Sequence, residues 1–101
     1  MLEQPGAEAP NHETRVADLV ATIASLDGRE LTEQFLRDLC TRAELEAMAQ
    51  RWEVAQLVSQ GVSYLQIAQR TGASTATVTR VAQWVRHGTG GYAAVLEASS
   101  S

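Results

Sequence analysis

The chain has 101 residues, 45% of them hydrophobic, and a formal net charge of −4. That length supports one domain, and a lone monomer of this size buries only a modest share of its surface. Eleven of the twelve acids lie at or before Glu53, and the segment 54–96 holds Arg70, Arg80, Arg86 and His87 with no acid at all, so the total charge does not exclude an anionic partner for that segment.

Catalytic and metal chemistry find little support. His12 and His87 are isolated, the carboxylates fall on outward helix faces, and the single Cys40 has no CxxC or CxxH partner. No enzyme, metal or cofactor is expected. One cysteine also precludes an internal disulfide, which fits a reducing interior, and Cys40 reads as a small core residue. No apolar run approaches the ~20 residues of a membrane span. The N-terminus lacks a basic-then-apolar leader, so the cytoplasm is the expected compartment.

Residues 1–12, MLEQPGAEAPNH, hold both prolines and little apolar content, and read as a flexible arm. A single helical domain is expected over 13–97. Its first helix, 14–26, places Val16, Leu19, Val20 and Ile23 on one face, with Glu13, Arg15 and Asp18 toward water. Asp27-Gly28 closes it, and Asp27 with Glu30 offers a cap to the next helix, 29–39, which carries Leu31, Phe35, Leu36 and Leu39.

Thr41 and Glu44 form a capping-box pattern that opens a third helix, 42–59. Leu45, Met48, Trp52, Ala55 and Val58 or Ser59 trace one face, and Val54 and Leu57 widen it. A face that wide predicts burial on two sides, as in a helix shared between subunits. Gly61 suits the position just past its end.

The segment 63–87 predicts a helix-turn-helix. Ser63 caps the first helix with Gln66 three residues on, and Leu65, Ile67 and Ala68 supply its apolar side. Gly72 allows the positive φ of a sharp turn, and Ser74 offers a fresh N-cap. Val78, Val81, Ala82 and Val85 then fall at i, i+3, i+4 and i+7. Small Ala68 lets the second helix approach, and Val78 locks it on, as the motif requires.

Outward, near the start of the second helix, lie Thr75, Ala76, Thr79 and Arg80. Short hydroxyls, a methyl and a guanidinium suit base edges and phosphates in a major groove. Ser63, Ser74 and Thr77 complete the expected DNA-binding set. The alternative is a helical hairpin that only packs against neighbours.

A flexible break follows at 87–91. Residues 92–97 can add a helical turn or two, docked through Tyr92, Val95 and Leu96, before a frayed tail over 98–101. No strand pattern or internal repeat is present, so the fold class expected is all-α with about five main helices.

Three strings carry a resemblance: LCTRAELEAMAQRWEVAQLVSQG, SYLQIAQRTGASTATVTRV and HGTGGYAAVL. Over 40–96 the chain resembles the Trp repressor superfamily, and within it the YerC/YecD branch. That resemblance implies a Trp-repressor-like bundle, an intertwined homodimer with interlocked N-terminal helices. Its two helix-turn-helix units would face successive major grooves of double-stranded DNA. The chain's own pattern agrees, since 14–26, 29–39 and 42–59 carry more apolar face than a small monomer hides.

The resemblance also implies a corepressor pocket, in which two arginines flank a bound indole. Arg51 and Arg80 match them, but the small hydroxyl residue of that pocket is replaced here by Trp84. Trp84 is expected either to fill the slot itself, through a cation–π contact with Arg80, or to pack into the core. Either way free tryptophan is not expected as a ligand. For Arg51 the plain alternative is an ion pair with Glu44, and for Arg80 a phosphate contact, which is preferred. The function expected is a dimeric, sequence-specific transcriptional regulator, most simply a repressor. The competing function is a helical adaptor that binds protein, favoured by the acidic total and the few bases.

Overall fold

The computed structural model describes residues 11–100. Six helices run in order: α1 His12–Ser25, α2 Arg29–Leu39, α3 Arg42–Ser59, α4 Tyr64–Thr71, α5 Thr75–His87 and α6 Gly91–Ser100. No strand occurs among the described residues, so the chain is all-α as expected.

The chain divides between Leu39 and Cys40 into two compact units. The first contains α1 and α2. Neither helix has a single buried residue, and Val16, Val20, Ile23, Leu31 and Leu39 are all exposed, so their apolar stripes do not seal a core. Of the arm expected over 1–12, residues 1–10 lie outside the described residues. Asn11 instead caps α1, its side chain accepting from the Thr14 N–H at 2.8 Å, and His12 is helical. Asp27 does not cap α2. The Gly28 carbonyl closes the first turn, accepting from both the N–H and the hydroxyl of Thr32.

The second unit holds α3 to α6 around Val54, Ala55, Leu57, Ile67, Ala73, Val78 and Val81. The capping box that opens α3 is complete: Glu44 N donates to Thr41 Oγ1 at 3.0 Å, and Thr41 N donates to Glu44 Oε1 at 2.8 Å. Only the later part of α3 is buried, at Val54, Ala55 and Leu57, while Met48 on its earlier part is 40% exposed. The long face predicted for this helix is thus half used within the chain. Cys40 is half-buried rather than part of the core.

The predicted break after α5 is only three residues long, and α6 is longer than predicted. Tyr92 and Leu96 pack against the core, and Tyr92 stacks on Trp52 with ring centroids 6.4 Å apart. Val95, expected in the same docking face, is exposed, because one residue moves it roughly 100° around the helix from Leu96. Ser99 and Ser100, expected to be frayed, continue α6, and Ser101 lies outside the described residues.

Candidate nucleic-acid interface

The unit α4–turn–α5 is built from local signals. Ser63 caps α4, accepting from Gln66 N at 3.2 Å. Gly72 ends it in the left-handed region at φ 77°, with its N–H donating to the Ala68 carbonyl at 3.0 Å. An L side chain there would be strained, which is why Gly holds the turn. Ser74 caps α5 by accepting from Thr77 N at 3.1 Å.

Packing fixes the two helices against each other. Ile67 and Val78 are fully buried, as are Val81 and Ala82 on the same face of α5. Ala68 is half-buried and lies against the core. Leu65 was expected on this apolar side but is 64% exposed. Two residues before Ile67, it points roughly 200° away around the helix.

Two braces have no signal in the sequence pattern. Gln50 Nε2 donates to the Thr71 carbonyl at 3.2 Å, tying α3 to the end of α4. Arg86 Nη1 donates to the Tyr64 hydroxyl at 2.8 Å, with its guanidinium carbon 5.9 Å from the ring centroid. This clamp joins the start of α4 to the end of α5. Its partners lie 22 residues apart, and no periodic reading connects them.

The outward face of α5 carries the expected reading residues. Thr75, Ala76, Thr79 and Arg80 are all exposed. Thr77 is only half-buried, and its hydroxyl accepts from Ser74 Oγ at 3.0 Å. Ser63 and Ser74 are exposed, each with its oxygen committed to a cap. Further along the same face, Arg80, Gln83, Trp84 and His87 line an open groove of ≈ 420 Å³.

Trp84 is 54% exposed, so it does not pack into the core of the chain, and the expected cation–π contact with Arg80 is not formed among the described residues, where Arg86 over Tyr64 is the pair found. Arg51 is exposed on α3 and makes no ion pair among the described residues. The pairing considered for it fails because the Glu44 carboxylate is spent on the capping box. Arg70 and Arg80 likewise make no ion pair among the described residues, in keeping with the absence of acids from 54–96. The described residues contain no group of three or more potential metal ligands, and no described helix is long and apolar enough to cross a membrane.

This fold and surface define a helix-turn-helix protein with a Trp-repressor-like arrangement of helices. Residues 14–100 match the Trp repressor protein family, and the chain belongs to that family. It is 40% identical over 79 residues to the uncharacterised protein YerC of Bacillus subtilis, covering 78% of this chain and 76% of YerC. It also resembles the crystal structure of a candidate Trp repressor from Staphylococcus aureus, with a TM-score of 0.79 and 37% identity over 85% of this chain and 86% of that one. The TrpR-like protein of Eubacterium eligens gives a TM-score of 0.80 and 38% identity, over 85% of this chain and 89% of that one.

Proposed function

We propose that this protein is a cytoplasmic, sequence-specific DNA-binding regulator of transcription, acting as a homodimer. The observation that carries the proposal is the outward face of α5. Thr75, Ala76, Thr79 and Arg80 are exposed on a helix whose opposite face is buried. Arg80 belongs to a segment with no carboxylate to oppose a phosphate. Ser63 and Ser74 position the two helices by capping, Thr77 holds the Ser74 hydroxyl, and these three polar side chains lie at the helix starts offered to the DNA backbone.

The dimer is supported by α1 and α2, which bury no residue in the single chain, and by the half-used face of α3. A second copy is the natural cover for such stripes. Two copies then present two α5 helices, as half-site recognition demands.

Trp84 belongs to the same proposal. By the sequence resemblance it stands where Trp repressors carry the pocket hydroxyl, and it lines one open groove with Arg80. In the dimer, Arg51, Arg80 and Trp84 form a self-filled slot that leaves DNA binding independent of free tryptophan.

The test is selection of bound duplexes from a random pool, followed by affinity measurements at two or more salt concentrations. Arg70, Arg80 and Arg86 give three cationic side chains per subunit. If all of them meet phosphates in a dimer, log affinity falls against log salt with a slope of about −5. An Arg80→Ala variant should show weaker binding to every sequence and a flatter slope. No enrichment of any duplex, with capture of a protein partner instead, would support an adaptor.

A further inference from the structure

We infer that the reading face of α5 recognises thymine methyl groups, so that the operator half-site is defined by T·A pairs. This inference rests on the DNA-binding function proposed above and specifies its base readout.

A recognition helix contacts base edges with its N-terminal residues. Here the exposed residues of that part are Thr75, Ala76 and Thr79, and the next is Arg80. Guanine is most often read by a bidentate Arg or Lys, and adenine by Asn or Gln. None of those types stands among the first five residues of α5, Thr75 to Thr79. What these residues present is methyl groups: one from each threonine and one from Ala76. The thymine C5-methyl in the major groove is the base feature that an apolar contact of this kind selects.

The hydroxyls point the same way. Three other helical threonines fold their hydroxyls back, Thr22 onto the Asp18 carbonyl, Thr32 onto that of Gly28 and Thr71 onto that of Ile67, while Thr14, in the first turn of α1, does not. The Thr77 hydroxyl is held by Ser74. Among the described residues, no hydrogen bond within the chain uses the hydroxyl of Thr75 or Thr79. A hydroxyl both donates and accepts, so by itself it does not fix a base. Discrimination therefore falls to the methyls.

The surface is also short and rigid. No side chain from Thr75 to Thr79 is long enough to hold the helix away from the groove floor. Fully buried Val78 and buried Ala73 fix this part of α5 from behind. Arg80 comes after the first turn, in the groove with Trp84 and His87, where it serves the phosphate backbone.

The test uses the full-length protein and the duplexes it enriches from a random pool. Each enriched thymine is replaced in turn by deoxyuridine, which removes the C5-methyl and leaves base pairing intact. Affinity is expected to fall about fourfold at each critical position, the fold-change that corresponds to burial of one CH₂-sized group. Thr79→Ser keeps the hydroxyl and deletes the methyl. That variant should bind the thymine and deoxyuridine forms of its contacted position equally well, a coupling that a merely structural role would not produce. Undiminished affinity for every deoxyuridine duplex would overturn the inference while leaving the DNA-binding function in place. A consensus of guanines lost selectively on Arg80→Ala would overturn it as well. No enrichment from the pool would overturn the DNA-binding function itself.

Discussion

Gly88 is held in place by a neighbour rather than by its backbone angles. Its φ of −80° is open to any residue. A methyl added to it would lie 2.5 Å from the Trp84 carbonyl oxygen and 3.1 Å from the Trp84 ring carbon Cε3. The same carbonyl accepts the Gly88 N–H at 3.0 Å and closes the last turn of α5. Gly88→Ala must therefore move backbone, not only a flexible side chain. Forced overpacking costs about 1–3 kcal/mol, and loosening the closing hydrogen bond adds about 0.5–1.5 kcal/mol. Reduced freedom of the unfolded chain returns about 0.4–1 kcal/mol. The net expectation is a loss of about 2 kcal/mol.

Gly91 is the internal control. It starts α6, its φ is not positive, and the nearest atom to an added methyl is Thr89 Oγ1 at 4.0 Å. Gly91→Ala should be neutral or stabilising by up to about 1 kcal/mol. Urea unfolding at one fixed protein concentration, followed by tryptophan fluorescence, measures both, since association shifts apparent stability. The steric reasoning fails if Gly88→Ala stays within about 0.5 kcal/mol of the parent, or if both variants shift the midpoint alike.

Three further outcomes are expected. Val78→Ala, at a fully buried position between α4 and α5, should cost about 2–3 kcal/mol by chemical denaturation and weaken DNA binding with it. Ser63→Ala and Ser74→Ala each delete an N-cap and should cost about 1 kcal/mol apiece, while replacement by Asp should retain most of the stability. Calorimetry with L-tryptophan should show no saturable heat, and stoichiometric binding would refute the self-filled slot at Trp84.

The helices were legible because their ends carry chemistry as well as periodicity. Thr41, Ser63 and Ser74 all cap as their residue types predict, and Gly72 makes the predicted turn. The buried stripe of α5 followed from spacing alone, through Val78, Val81 and Ala82. Leu65 is apolar yet turned outward, because on a helix of only eight residues apolar character alone does not set the buried face. The helical tail is hard to read from sequence because a run of serines carries no helix signal, although Tyr92 and Leu96 anchor the helix it extends. At the candidate interface, the exposed residue types were visible from the start. The Tyr64–Arg86 clamp was not, because it joins polar groups across a turn, where neither charge opposition nor periodicity marks the pair. The Gly88–Trp84 contact was equally hidden, since a glycine-rich stretch reads as loose whether or not a neighbour crowds it.

The missing acids have a thermodynamic side. A surface guanidinium paired with a carboxylate must give up that pair before it can take a phosphate, which offsets part of the gain. Arg37 and Arg42 are in that position, tied to Glu33 and Glu46. Arg70 and Arg80 have no such tie to break among the described residues. A polyanion reaching them would displace water and mobile salt rather than a protein carboxylate. Binding there is driven by ions released to bulk solution, a gain that is entropic and set by the salt already present.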